Sequence, residues 1–364
     1  MELNVNTYLR RLVDEDASDL HFKVGTPPVL RINGQLVLLE GKRLSPSEVE
    51  QISMSLLPES KKVLLEKGIE LDVAYSVPGL GRFRTNIYKQ RGSFAVAIRY
   101  IPSSMELTFE GLNLPPVIRD LAEQPRGLIL VTGTTGSGKS TTLAAMIQHI
   151  NTARRCHIVT IEDPIEFLHR DNKSIISQRE IGEDTTRFAT ALKYVVRQDP
   201  DVILVGEMRD VETVESVIQA ATTGHLVFST LHTTDAVQTI NRIVNFFPSH
   251  QHQQIRVDLS ACLKGIMGLR LLPRADGTGR VPAVEVMVST PTIRELLLDE
   301  QKMDKIKEAM EQGAVHYGMQ TYDQALIQLY KDGFIHYEEA LNHATSPGDL
   351  ALRIRSEMPD MRKP

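Results

Sequence analysis

Apolar and polar positions alternate along this chain in a pattern that changes character near residues 102, 117 and 291. Residues 1–101 begin with a helical stretch. They continue through PPVLRINGQLVLL, where Asn33-Gly34 between apolar runs predicts a β-hairpin. Two helical stretches start near Ser45-Pro46 and Glu59. The strand-like runs GRFRTNIYKQ and GSFAVAIRYI follow, joined through Arg91-Gly92. Residues 102–116, PSSMELTFEGLNLPP, carry Pro, Ser and Gly with weak periodicity and read as a linker. From Val117 to about Leu272, short apolar runs (HIVTI, DVILV, HLVFST) alternate with helical segments. One helix is expected over Phe188–Gln198, with apolar residues at 188, 191, 192, 195 and 196. That alternation predicts an α/β fold with a mostly parallel sheet covered by helices on both faces, spanning residues 117–290. Residues 291–364 read as nearly all helical, in four short amphipathic segments reaching Met358.

The apolar run Leu128-Ile-Leu-Val131 leads into GTTGSGKS, and a helix follows with Leu143, Met146, Ile147 and Ile150 at helical spacing. This strand–loop–helix context is what a phosphate loop requires. Glycines let the backbone curl so that several N–H groups point at one oxyanion cluster, and the helix presents its positive end to the same phosphates. Gly133, Thr134, Thr135, Gly136, Ser137, Gly138, Lys139, Ser140 and Thr141 are therefore the expected nucleotide-binding residues. Lys139 is expected to reach the β and γ phosphates of ATP, and Ser140 to ligate Mg²⁺.

Further candidates follow from strand ends. DPDVILVGE is an apolar strand closing on Glu207, placed to hold Mg²⁺ through water. Thr160-Ile-Glu162-Asp163 puts two carboxylates at another strand end, the edge where ligands gather in a parallel sheet. Glu162 is expected to be the base that activates the attacking water, with Asp163 beside the nucleotide; a solvated acidic turn is the alternative. His225 and His232 bracket the strand Leu-Val-Phe-Ser-Thr-Leu, where a histidine can hydrogen-bond a γ-phosphate oxygen or serve structure alone. Arg82, Arg84 and Arg99 lie on strands of the first domain. They are either solvated or offered to the nucleotide of a neighbouring subunit.

Composition narrows the class. The 364 residues carry a formal net charge of -5, are 41% hydrophobic and 24% charged, and fit two or three ordinary globular domains. The acidic balance argues against non-specific DNA binding, as does the lack of an aromatic-plus-basic stretch. Cys156 and Cys262 are far apart, without a C-x-x-C pair, and read as buried thiols in a reducing compartment. No run of about eighteen apolar residues and no secretory leader is visible, so a cytoplasmic protein is expected.

With these residues in hand, the chain resembles the secretion-type ATPases, and among them the type IV pilus retraction ATPases of the PilT and PilU kind. The motifs that carry the resemblance are SDLHF near residue 18, GRFRTN at 81, the phosphate loop at 133, TIEDPIEF at 160, DPDVILVGEMRD at 199, TGHLVFSTLHT at 223 and GMQTYDQAL at 318. The resemblance implies a RecA-like ATPase core with a smaller PAS-like N-terminal domain and a helical C-terminal region. It assigns Glu162 as catalytic glutamate, Glu207 to the Walker B element, and His225 and His232 to a histidine box. It also implies that Arg82 and Arg84 contact the nucleotide of the adjacent subunit in a homohexameric ring driving pilus retraction (twitching motility). The implied partners are an inner-membrane platform protein and a paralogous retraction ATPase, with no nucleic acid. Assembly and type II secretion ATPases generally carry a four-cysteine zinc site and a longer amino-terminal region, which this sequence lacks, so retraction is favoured. Pro291-Thr-Ile-Arg-Glu295 stands where PilT proteins have an Ala-Ile-Arg-Glu element, and SPGDLALRIR resembles PilU. An independent motor and an accessory subunit both remain open, as does a nucleic-acid motor built on a related core.

Overall fold

The computed structural model describes residues 4–66 and 70–357. Met358, where the last helical segment was expected to end, lies outside the described residues. The chain divides into two compact units, Met1–Ser103 and Ser104–Pro364.

The first unit runs α1 (Val5–Asp14), β1 (Asp19–Lys23), β2 (Val29–Ile32), β3 (Gln35–Leu38), α2 (Pro46–Ser55), α3 (Glu59–Glu66), β4 (Leu71–Val77), β5 (Gly81–Gln90) and β6 (Ser93–Ile101). Its strands form one antiparallel sheet in the order β3-β2-β1-β6-β5-β4. Two tight turns fix its hairpins. Asn33 and Gly34 both take positive φ (49° and 80°), and so do Arg91 and Gly92 (50° and 78°), the twist that two-residue hairpins need. α2 starts on a capping box in which Ser45 and Glu48 satisfy each other's backbone N–H groups, with Pro46 at the first helical turn. Leu9, Leu12, Leu20, Phe22, Ile52, Phe83 and Ile98 meet in its core. One row of residues crosses β2, β1, β6 and β5 in register: Arg31, Asp19, Arg99 and Arg84.

The second unit comprises α4 (Val117–Ala122), β7 (Gly127–Thr132), α5 (Lys139–Ala153), β8 (His157–Glu162), β9 (Ile175–Glu180), α6 (Phe188–Val195), β10 (Val202–Val205), α7 (Val211–Thr222), β11 (Leu226–Leu231), α8 (Ala236–Val244), α9 (His252–Cys262), β12 (Leu263–Pro273) and β13 (Arg280–Val288). It continues through α10 (Pro291–Leu297), α11 (Lys305–Gln312), α12 (Ala314–Tyr317), α13 (Tyr322–Lys331), α14 (Tyr337–His343) and α15 (Pro347–Glu357). The sheet order is β13-β12-β7-β11-β10-β8-β9, and every pairing is parallel except β12 with β13. β7, β10 and β11 are buried throughout, which is why they read as mainly apolar runs. Along β7, Leu128 and Leu130 face a core built with α6, α7, α8 and α9, whereas Ile129 and Val131 face α4 and α5.

The α/β expectation holds, with differences in detail. β9 continues the parallel sheet past β8, although its SIISQRE sequence is polar and carries no apolar run. β12 and β13 add a long hairpin beyond the β7 edge. α6 ends at Val195, and Val196 is exposed, so the helix is shorter than its apolar spacing suggested. After Pro291 the described residues hold six α-helices rather than four segments, and these belong to the same compact unit as the sheet. Ile293 of the Thr-Ile-Arg-Glu element is fully buried and anchors α10.

One buried acid ties the helices to the sheet. Glu285 on β13 is 6% exposed, and its Oε2 accepts the Ala236 N–H (2.8 Å) at the start of α8. Burial pushes its pKa up from 4.5 to about 7; the Ala236 N–H opposes the rise, Asp235 adds to it, and Arg270 and Lys307 oppose it. The folded state therefore holds a proton there that the unfolded chain releases above 4.5, so stability falls as pH rises between about 4.5 and 7. Glu285→Gln keeps the acceptor and removes the titration. The drop in thermal midpoint between about pH 5 and about pH 8 is expected to be smaller in this variant than in the parent.

Candidate functional site

Parallel strands set the geometry. β7, β11, β10 and β8 run side by side, and their carboxyl ends open on one edge of the sheet, where a ligand has access to loops rather than to packed core. The loop after β7 turns on Gly133, Gly136 and Gly138, all at positive φ (139°, 77° and 98°). Gly133 has a second reason to lack a side chain. A Cβ there would stand 2.5 Å from the Leu269 carbonyl oxygen and 2.5 Å from Ser137 Oγ. Gly138 is the N-cap of α5 and supplies no side-chain cap, so the first N–H groups of that helix remain available to an anion.

A cleft of about 360 Å³ lies over this loop, lined by Thr135, Gly136, Gly138, Lys139, Ser140, Thr141, Glu162, Asp163, Glu207 and His232 among others. Gly133 and Thr134 close the loop behind it: Lys139 Nζ donates to their carbonyls at 2.8 and 2.9 Å. Lys139 is 9% exposed, and burial holds its amine below the usual lysine range, with Glu166 opposing that shift. Ser137 is buried beneath the loop and lines a second cavity, of about 520 Å³, shared with Gly138, Thr141 and Thr142.

Glu162 ends β8. Its Oε1 accepts from Thr160 Oγ1 (2.6 Å) and from Gln178 Nε2 (3.2 Å), and its Oε2 accepts from the Glu166 N–H (3.5 Å). Withdrawal from water dominates these donors and pushes its pKa up to about 7. Glu207 follows β10. Its Oε2 meets His232 Nε2 at 3.0 Å, and its Oε1 pairs with Arg209, which also donates to Asp163 Oδ2 (3.2 Å). Burial, then the nearby charges of Lys139 and Arg209, lower the pKa of His232. A neutral imidazole donating to Glu207 is the form these surroundings favour.

The structure thus brings the phosphate loop, Glu162, Asp163, Glu207 and His232 into one cleft. It does not bring His225. That residue precedes β11, at the amino end of the strand, where its Nδ1 donates to the Ala220 carbonyl (2.9 Å) and its own carbonyl accepts from the first residue of β7. A γ-phosphate contact from His225 within its own chain is ruled out by a full strand length; only His232, at the other end, reaches the cleft. Arg82, Arg84 and Arg99 belong to the first unit. There Arg84 Nε donates to Asp72 Oδ2 (2.9 Å) and Arg99 Nε to Asp19 Oδ1 (2.9 Å).

Sequence reasoning missed several groups at the cleft. Thr160 lies two residues before Glu162 on the same strand face, a signal that could have been read. Arg209 sits two residues past Glu207. Gln178 and His169 lay in a polar stretch with no periodicity to place them, and Arg280 is brought in by the β12–β13 hairpin.

Fold and loop together define a phosphate-loop nucleotide-binding unit on a RecA-like sheet. Residues 4–341 match the Type II/IV secretion system protein family, and the chain belongs to it. Among its relatives are the type IV pilus ATPase PilU of Pseudomonas aeruginosa, 41% identical over 347 residues that span 95% of this chain and 90% of that protein. The retraction ATPase PilT of the same organism is 41% identical over 345 residues, covering 95% and 99% of the two chains. The crystal structure of the pilus retraction motor PilT with bound ADP superimposes with a TM-score of 0.89 and 45% identity, covering 96% of this chain and all of the other.

The glycines of the loop separate strain from crowding. Gly136 also has positive φ, but nothing lies within 4 Å of where its Cβ would stand. Gly136→Ala is expected to cost about 1 kcal/mol of stability with nucleotide binding weakened modestly. Gly133→Ala must move the β12 backbone as well and is expected to cost at least about 2–3 kcal/mol and to abolish measurable ADP binding. Thermal denaturation and calorimetric titration on the two variants check the ranking.

Proposed function

We propose that this chain is the ATP-hydrolysing subunit of a homohexameric ring motor that powers type IV pilus retraction from the cytoplasmic side of the inner membrane. The observation that carries this reading is the likeness to PilT over 95% of the chain, laid over a cleft in which a phosphate loop faces the half-buried Glu162 carboxylate. No helix of the described residues is long and apolar enough to cross a membrane. The ring acts in this reading through a membrane platform protein.

In this reading the backbone N–H groups of the loop and the start of α5 hold the β and γ phosphates, and Lys139 leaves the carbonyls of Gly133 and Thr134 to meet them. Thr141 and the second cavity beside it are the place for ribose and base. Glu162 takes a proton from a water whose oxygen attacks the γ-phosphorus. The new oxygen–phosphorus bond forms as the bond to the β-phosphate oxygen breaks, and ADP carries away that electron pair. Ser140 and Glu207 fit Mg²⁺ borne on the nucleotide. Both offer hard oxygens to the same cleft, and no cluster of three His, Cys, Asp or Glu that could hold an ion unaided exists among the described residues. Glu207, already engaged by Arg209 and His232, would reach the ion through water. When bound, the ion would supply positive charge against that developing on the phosphates. His232 links the γ-phosphate edge to Glu207, and Asp163 keeps Arg209 oriented. Arg82 and Arg84, with Arg99 beside them, supply positive charge to the nucleotide of the adjacent protomer.

Equal identity to PilT and PilU supports a second reading, that of an accessory subunit working beside a paralogous ring. Deleting the gene and imaging pili separates the two. Persistent non-retracting pili mark an independent motor, whereas retraction that weakens only under load marks an accessory. Normal retraction under all loads would overturn both.

The site makes its own demands. Lys139→Ala is expected to lower turnover by at least about a hundredfold, measured as phosphate release. Because Glu162 accepts a proton only when ionised, kcat/KM for ATP is expected to climb through about pH 7 and level off above it. Glu162→Gln should abolish that rise and reduce kcat by about 10²–10⁴-fold. Rings mixed from an Arg82→Ala, Arg84→Ala double variant and a Glu162→Gln variant are expected to recover turnover that neither shows alone, since some interfaces then combine intact halves. Intact mixed rings without any recovery would refute the shared site.

A further inference from the structure

Gln178 has no assigned task, yet every polar atom of its side-chain amide is engaged by residues that line the cleft, Glu162, Phe167 and His169. It stands on β9 directly beside Thr160 of β8 in the parallel register. Its Nε2 donates to Glu162 Oε1 (3.2 Å) and to the Phe167 carbonyl (2.9 Å), while its Oε1 accepts the His169 N–H (2.9 Å). One amide therefore grips the carboxylate at the start of segment 163–169 and the backbone at its end. The segment is anchored again at Ser104, the first residue of the second unit. Ser104 is fully buried; its N–H donates to the Leu168 carbonyl (3.0 Å), and its Oγ lies 2.8 Å from His169 Nδ1. Burial pushes the pKa of His169 down to about 4, so this contact is made by a neutral ring.

We propose that Gln178 is the positioning residue of Glu162: its amide fixes the carboxylate for proton removal and ties it to the segment that fastens Ser104, where the chain enters the nucleotide-binding unit. The proposal rests on Glu162 being the base. The amide donor also favours the ionised carboxylate against the cost of burial. The other charged or titratable groups facing the cleft are Asp163 and Glu166 on the same segment, His169 at its end, Lys139 on α5, Glu207 and His232 past β10 and β11, and Arg280 on β13. Of these, His169 bonds Gln178 through its backbone N–H, a contact whose acceptor Gln178→Glu keeps. From β9, Glu180 pairs with Glu162 in the strand register and its Oε2 accepts the Ile165 N–H (3.4 Å), while Gln178 is the residue whose side chain donates to the Glu162 carboxylate, so removing the amide acts on orientation and ionisation together.

The test compares pH profiles of ATP turnover in the full-length parent, Glu162→Gln, Gln178→Leu and Gln178→Glu. Gln178→Leu deletes donor and acceptor. Gln178→Glu keeps the size and the acceptor for His169 N–H but replaces the donor with negative charge, and it decides the matter if the leucine variant does not fold. In both, kcat is expected to fall about tenfold with KM for ATP within about twofold, and the acid limb is expected to move up by at least about half a pH unit. A limb that stays in place in the folded variants, or a drop in activity that tracks loss of thermal stability alone, overturns the proposal. If Glu162→Gln still shows the limb, Glu162 is not the base and the underlying reading fails as well. If that variant loses the limb while both 178 variants keep it, the assignment of Gln178 fails alone.

Discussion

The close approach of Gly133 to the Leu269 carbonyl is the contact on which the phosphate-binding edge depends. β12 lies beside β7 with Gly268 opposite Thr132, so the next residues, Leu269 and Gly133, meet backbone to backbone. A side chain at 133 would separate the two strands at the point where the loop begins to curl. β12 is itself held by β13 from Gly265 to Pro273, and Glu285 on β13 grips the start of α8, the helix that follows His232. The antiparallel hairpin at one side of the sheet is thus a template for the loop. It also ties that loop to the segment carrying the histidine on the far side of β7.

Enclosure sets the electrostatics of the cleft in a consistent direction. Burial discourages the charged form of Lys139, of Glu162 and of His232 alike. A polyphosphate would strengthen the charge on Lys139 and oppose ionisation of Glu162, since its own charge is negative. The donors on Glu162, from Thr160, Gln178 and the Glu166 N–H, act against that opposition. Base strength in such a site comes from a contest between desolvation and a few fixed hydrogen bonds. That is why residues outside the reacting shell matter to it.

Much of this was legible in the sequence, and the exceptions have physical causes. Strands buried on both faces announce themselves as apolar runs, and Asn33-Gly34 marked its hairpin because few residue pairs tolerate two successive positive φ values. β9 stayed hidden because an edge strand needs no apolar pattern; its identity comes from pairing with β8. β12 and β13 contain Gly265, Gly268 and Pro282, residues that weaken any strand signal, and the glycines are required because Leu121 and Tyr322 press against them. His225 was misplaced by reading the two histidines as a pair. In a parallel strand the residue before and the residue after end up on opposite edges of the sheet. Gln178 was invisible because its value lies in joining positions 162, 167 and 169, a relation that only folding creates.

The row of charges on the first unit has a consequence for any anion it meets. Arg99 is already neutralised by Asp19, and Arg84 by Asp72, so neither guanidinium is idle. Transfer of such an arginine to a phosphate is an exchange of one anionic partner for another, and its net driving force is only the difference between the two. Were Arg84 or Arg99 to serve a neighbouring nucleotide as proposed, that near balance would make the contact readily reversible, with the carboxylate reclaiming its cation when the phosphate departs.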